Sequence, residues 1–308
     1  MRPKIGFVLG IEAAGLRSER AAAIEATGCD SLWAGGHVVS REPASEVVTS
    51  VTWLASVTER VRVGSAVLVL PLYSPVVVAK QFAELDRVTG GRITLGIGSG
   101  SDPDEIAACG GSSAGRAARV DESIEIIRAL WRGEKVTRAG AAWTLADTTI
   151  APLPAQPQGP PIIVAGRKPP AMRRAATLGD GWMPSMFSPS AYARSVATIS
   201  EHAAGPLTGF EWMCLVYVRV DDDEATAMNT AVSTLTDEMS LPRADAEALL
   251  SRTAAIGTPE QVATSLQRYV DASVNHLVLR CCADDDFEEQ ISRVMTDVAP
   301  HLSATRQP

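Results

Sequence analysis

The spacing of apolar residues changes period along this chain, and the change is clearest between residues 61 and 101. Val61 to Leu68 is a β-branched apolar run, as expected for a strand buried on both faces, and Pro71 and Pro75 break it. From Val76 to Val88 the spacing becomes helical. Ala79, Phe82, Ala83 and Leu85 fall on one side, Lys80, Glu84 and Arg87 elsewhere, and Gly90-Gly91 stops the helix. Ile93 to Ile97 is the next strand and runs into Gly98-Ser99-Gly100-Ser101. One strand–helix–strand unit is therefore readable almost whole, and such units bind ligands at the C-terminal ends of their strands.

The same rhythm holds along the rest of the chain. It predicts strands at 4–9, 31–34, 61–68, 93–97, 162–165, 181–183, 211–220 and 276–281, named β1 to β8 in that order. It predicts helices at 18–27, 44–59, 76–88, 116–131, 169–179, 190–203 and 260–272, an irregular helical stretch at 225–256, and a last helix ending near Ala299. Residues 101–115 read as a long polar loop, 136–145 as a small hairpin, and the prolines between 152 and 161 as a stiff connector. Strands alternating with helices imply an α/β fold, a single (β/α)8 TIM barrel over 1–308 with insertions after strands 4 and 7 and a hairpin excursion before strand 5. A doubly wound open sheet is the competitor. It usually carries G-x-G-x-x-G after its first strand, and Leu9-Gly10-Ile11-Glu12 does not.

Composition narrows the function classes. Hydrophobic residues make up 46% of the 308, enough for a large core, and the net charge of −8 with no basic stripe argues against nucleic acid. The longest apolar stretch, Val67 to Ala79, is too short for a membrane span and holds two prolines. The run Ile5 to Ile11 lacks the cleavage pattern of a signal peptide, so a cytoplasmic protein is expected. Five cysteines without a C-x-x-C pair support neither a disulfide framework nor a metal site, and Cys281-Cys282 are expected to be buried thiols. Trp131, Trp143 and Trp212 are expected to serve packing.

The candidate chemistry sits after the strands. His37 alone of four histidines follows a strand at the end that faces an active site, and its titration near neutrality suits proton transfer. The alternative is a loop histidine packed on Trp33. Gly98, Ser99, Gly100 and Ser101 offer N–H groups and hydroxyls to an anionic group. Val164, Ala165, Gly166 and Arg167 combine close backbone approach, a positive charge and a helix start, which makes a phosphate cradle. The loop after β8, 281–286, is too acidic for that task. Leu70, Leu72, Tyr73, Met183, Met186 and Phe187 lie in loops at the same face and suggest an apolar substrate vestibule.

Taken together, Asp30-Ser31-Leu32-Trp33 through His37, Val63-Gly64-Ser65-Ala66-Val67 through Pro75, Gly91 to Gly98, Arg119 through Trp131, Pro160 to Gly166, Leu178 to Trp182 and Gly257 to Glu260 resemble the bacterial-luciferase-like flavin monooxygenases. Within these they resemble the branch that uses the deazaflavin coenzyme F420. The resemblance implies the barrel, often dimeric. It implies a histidine at position 37 beside the cofactor ring, and a bulge with a cis peptide at Ala66–Val67, following Ser65, under that ring. It further implies a cofactor tail held at 98–101 and 164–167. Many relatives carry an acidic residue just before the histidine, where this chain has Gly36. Certain sugar-phosphate dehydrogenases of the family carry a glutamate where this chain has Ser101, which argues against that substrate class. The function implied is hydride transfer between F420 and an organic, apolar substrate. The alternatives are an FMN-dependent monooxygenase using O2 and a separate reductase, and a non-catalytic cofactor-binding barrel.

Overall fold

A computed structural model describes residues 2–10, 16–40, 43–282 and 286–304. Eight parallel strands close on themselves: β1 Lys4–Leu9, β2 Ser31–Ala34, β3 Arg62–Ser65, β4 Ile93–Gly98, β5 Ile162–Val164, β6 Gly181–Trp182, β7 Glu211–Val220 and β8 His276–Cys281, with β8 pairing back onto β1. Helices α1 Ser18–Ala26, α2 Val47–Val57, α3 Pro75–Val88, α4 Arg116–Trp131, α5 Pro169–Leu178, α6 Pro189–His202, α7 Pro259–Asp271 and α8 Phe287–Arg293 follow the strands and cover the barrel. The buried aliphatic residues between strands and helices form one continuous shell. This is the expected (β/α)8 barrel.

Several boundaries differ from expectation for identifiable reasons. The predicted continuous strand 61–68 is two pieces, because a cis peptide at Ala66–Val67 interrupts it and Leu68–Val69 then pairs with the end of β4. The second helix starts at Val47, not 44, because Glu46 caps it, its carboxylate accepting from the Val48 and Thr49 N–H groups at 3.0 and 2.8 Å. The 225–256 stretch is two helices, Glu224–Met239 and Arg243–Thr253, then a strand, Ala254–Gly257, which adds to β7 outside the barrel. The loop 101–115 contains a short helix, Pro103–Ala108. The hairpin pairs Val136–Ala139 with Thr144–Thr148. The proline connector is pinned by the wholly buried Asp86, whose carboxylate accepts from the Gln156 backbone and side-chain nitrogens at 2.8 and 2.7 Å.

Inward positions alternate along each strand and stack in layers. At the N-terminal end of the barrel the layer is polar. Arg62 grips Glu211 with two hydrogen bonds of 2.8 and 2.6 Å, and His276 Nε2 meets Ser31 Oγ at 2.7 Å. The layer above is apolar: Val8, Trp33, Ile163, Met183, Met213 and Val278. Gly64 makes room for Trp33, since a Cβ there would lie 2.4 Å from the indole. Trp33 therefore plugs the barrel, with its ring edge to His276 and its N–H on Ser31 Oγ, and what lies above it is open.

Candidate active site

Above that plug, at the C-terminal ends of the strands, is a cavity of about 690 Å³, within the usual range of ligand pockets. Residues from the ends of seven strands, all but β4, and from their loops line it. His37, Ala66, Val67, Ala165, Gly166, Arg167, Met183 and Met186, all singled out in the sequence, share this wall. His37 and the Gly166 turn therefore face one chamber. Leu215, Tyr217, Glu238, Met239 and Arg280 form the opposite side and were not anticipated. A larger hollow of about 800 Å³ lies at the other end of the barrel, around Lys4, Pro206 and Asn275, away from these groups.

The remaining expected residues lie elsewhere. Ser65 is fully buried and its hydroxyl donates to the Gly96 carbonyl, a strand-to-strand tie. Val164 and Leu70 are core residues. Leu72 lies beside Leu70 in the short turn Leu70–Leu72, outside the chamber. The Tyr73 hydroxyl turns to Glu46 at 2.6 Å and borders a separate surface groove with Trp53. Phe187 stands edge-on to Trp182 at 5.8 Å. Gly98, Ser99, Gly100 and Ser101 do not line the chamber, although Gly98 packs so closely that a Cβ would meet the Val67 side chain at 2.9 Å. Of the expected vestibule, only Met183 and Met186 face the chamber. Part of the acidic loop after β8 lies outside the described residues; Asp286, within them, pairs with Arg219 at 2.7 Å.

The missed residue that matters most is Glu105. Asp102 caps the short helix Pro103–Ala108 by accepting from Asp104 N–H at 2.8 Å, and this turns Glu105 inward until only 2% of its side chain is exposed. One oxygen accepts from the Val38 and Val39 N–H groups at 2.8 and 3.3 Å; the other faces His37 Nδ1 at 3.2 Å. A carboxylate only accepts, so Nδ1 carries a proton and Nε2 is the nitrogen left for chemistry. Glu105 thus supplies, from another loop, the carboxylate that Gly36 withholds. Position 36 has no room for one, because a Cβ would sit 1.8 Å from the Ser45 carbonyl oxygen. The sequence signal was only Asp-Pro-Asp-Glu at 102–105, a helix start.

The turn after β5 has the character of an anion cradle. Gly166 takes φ +129°, a conformation that strains any side chain. Among the described residues the N–H groups of Gly166, Arg167 and Lys168 form no hydrogen bond within the chain. Arg167 donates to the Met186 carbonyl at 3.2 Å, which holds it at the rim. The helix behind contributes less than expected. Pro169 and Pro170 have no N–H, and Ala171 N–H is spent on the Lys168 carbonyl at 2.9 Å. The donors are the turn itself, not the helix start.

A family model described as luciferase-like monooxygenase matches residues 17–276. The chain belongs to the luciferase-like monooxygenase family. An F420-dependent glucose-6-phosphate dehydrogenase of Kineococcus radiotolerans is 30% identical over 97% of this chain and 97% of its own. An F420-dependent secondary alcohol dehydrogenase, solved with an F420–acetone adduct, superposes with a TM-score of 0.83 at 22% identity, covering 98% of this chain and all of that one. The oxygenating component of 3,6-diketocamphane monooxygenase from Pseudomonas putida, solved with FMN, superposes at 0.77 with 18% identity, covering 99% and 100%. The same barrel therefore holds F420 in one of these solved structures and FMN in the other. No helix among the described residues is long and apolar enough to cross a membrane.

Proposed function

We propose that this protein is an F420-dependent oxidoreductase that moves a hydride between the deazaflavin and an organic substrate whose body is apolar. The observation that carries the reading is the single chamber joining His37, Ala66, Val67 and the turn at Gly166 and Arg167, whose N–H groups are uncommitted within the described residues. The residues fit the cofactor. The uncommitted N–H groups and Arg167 suit a phosphate-bearing tail, and Gly35, whose Cβ would sit 3.2 Å from the Ala66 carbonyl, leaves the bulge open to a flat ring.

When bound, the deazaflavin supplies the hydride chemistry. The chain's own residues bind, orient and handle the proton. Ala66 and Val67 would support the ring. Gly166 and Arg167 would hold the tail. Met183 and Met186 offer soft apolar surface that excludes water from the transfer path. His37 Nε2, with Nδ1 tied to Glu105, would take the hydroxyl proton of an alcohol or return it to a carbonyl oxygen.

The test is a fluorescence titration of F420 against FMN, followed by anaerobic mixing. Tight F420 binding and reduction or oxidation without oxygen uptake supports the reading. Preference for FMN with oxygen consumption moves the protein to the monooxygenase alternative. Tight deazaflavin binding without turnover over a broad substrate panel makes it a binding barrel.

A further inference from the structure

The apolar layer beneath the chamber is tied to the closed end of the barrel by a line of hydrogen bonds that the proposed hydride transfer does not use. Trp33, Ser31 and His276 are all buried. The Trp33 indole N–H donates to Ser31 Oγ at 2.8 Å, and Ser31 Oγ lies 2.7 Å from His276 Nε2. Among the described residues the Ser31 hydroxyl has no other acceptor in reach, so its proton goes to Nε2. The ring proton of His276 then sits on Nδ1, which faces Glu211 Oε2 at 3.5 Å. Burial lowers the His276 pKa against the pull of Glu211, which keeps this ring neutral. The line therefore has one direction, from the indole to the carboxylate that Arg62 grips. Two glycines make room for it. A Cβ at Gly6 would lie 2.0 Å from Ser31 Oγ, and one at Gly64 would lie 2.4 Å from the indole.

We propose that Ser31 is a positioning residue for the cofactor ring: by fixing Trp33 it sets the floor on which Ala66 and Val67 hold the deazaflavin. Ser31 itself touches neither cofactor nor substrate. The connection to the chamber is made twice. Trp33 belongs to the buried cluster with Val8 and Met183, against which Ala66 and Val67 pack, and these four neighbours line the chamber. In the backbone, Trp33 is the register partner of Gly64, and the Ala66 N–H donates to the Ala34 carbonyl at 2.7 Å. A close-packed interior transmits a displacement rather than absorbing it. Apolar contacts alone do not fix how an indole lies in its slot; the directed bond from its N–H does. Deleting the Ser31 hydroxyl leaves the indole N–H and His276 Nε2 without partners and away from water. A direct bond between them would close the gap, and it draws Trp33 toward the closed end, away from Ala66 and Val67. The tail cradle at Gly166 and Arg167 is untouched by that movement.

The inference rests on the F420 reading, and the experiment separates the two. F420 and its phosphate-free fragment 8-hydroxy-5-deazariboflavin are titrated by fluorescence into the wild type, Ser31→Ala and His276→Gln. The glutamine amide keeps the direction of the line, its oxygen accepting from Ser31 and its NH2 facing Glu211. The proposal expects Ser31→Ala to weaken F420 and the fragment by the same factor, tenfold or more, because the loss lies at the ring. His276→Gln should stay within threefold of the wild type for both. Should Ser31→Ala not fold, Trp33→Phe, which removes the indole N–H and narrows the floor, should show the same tenfold loss for both probes. Binding in the folded serine or tryptophan variant within twofold of the wild type overturns the proposal. So does an equal loss in His276→Gln, which marks a loosened fold, or a loss confined to F420, which places the effect at the tail. A wild type that binds F420 but not the fragment also overturns it, since the floor then does not hold the ring. Failure of the wild type to bind F420 overturns the functional reading, and the proposal with it.

Discussion

Replacing Glu105 by glutamine changes one atom's donor character and should move a proton on a different loop. In the wild type the Glu105 oxygens face only donors: two backbone N–H groups and His37 Nδ1 at 3.2 Å. Glutamine has the same shape. Its oxygen must stay on the Val38 and Val39 N–H groups, so its NH2 is left facing Nδ1. Nδ1 must then accept, and the imidazole proton shifts to Nε2. A hydrogen bond to a charged group contributes about 1.5–3 kcal/mol, or roughly 10- to 150-fold in a tautomer ratio. The His37 side chain is 53% exposed, which puts the effect near the lower bound. Nitrogen-15 NMR of histidine-labelled protein reads the tautomer directly, and with only four histidines in the chain the assignment is simple. The wild type should show Nδ1–H at His37, and Glu105→Gln should show Nε2–H. The variant should also lose about 100-fold in any turnover that needs Nε2 to accept a proton, with F420 affinity changed only a few-fold. Nε2–H in the wild type, or an unchanged ring in the variant, would refute the dyad.

Glu211→Gln should destabilise the barrel by about 1.5–3 kcal/mol in urea melts, because it leaves the part-buried Arg62 guanidinium beside a neutral amide. Burial alone would raise the Glu211 carboxyl, but the His276 ring and the Arg62 guanidinium hold it well below its ordinary 4.5, while burial lowers His276 from 6.5. The stabilisation from Glu211 is present above about pH 4.5 and is lost as pH falls further; protonation of the unfolded histidine erodes stability from about 6.5 down. Wild-type melting temperature should therefore fall in two stages on acidification, and Glu211→Gln should show a smaller lower stage, the remainder coming from Glu25 and Glu46, which, against burial, their backbone and side-chain donors also hold below the ordinary value. Gly166→Ala forces a side chain onto φ +129°, with its Cβ 2.7 Å from that of Ala171, and should weaken F420 binding at least tenfold by fluorescence titration. Burial pushes the Cys29 thiol up to about 11, and Cys214, Cys281 and Cys282 are likewise buried. A thiol reagent at pH 8 should therefore label Cys109 first, and the other four should react only as the protein unfolds.

The barrel was legible because its strands are buried on both faces and its helices on one, so the change of period survives in the sequence. Pairs of residues that meet only in space were not legible. Nothing in Gly36-His37 announces a carboxylate 68 positions later, and nothing in Arg280 announces Glu238. Tyr73 misled for a related reason. It does follow β3 at the correct end, but the turn Leu70–Leu72 swings it outward to Glu46. The resemblance located the cis peptide at Ala66–Val67, which the apolar run 61–68 conceals. The helix start behind Arg167 is expected from the sequence to add to the phosphate cradle, whereas its Pro169 and Pro170 lack the N–H donors such a site would use.

Strand β7 is ten residues long, and its final four, Tyr217 to Val220, are laced to Ala254–Gly257 on one flank while Tyr217 and Val218 also pair with β8 on the other. The excursion carrying Glu238 leaves from the tip of β7 and returns through that outer strand, so both its ends are anchored in sheet. A change inside the 221–253 segment can therefore be absorbed between two fixed points, leaving the hydrogen-bonded ring of eight strands as it is.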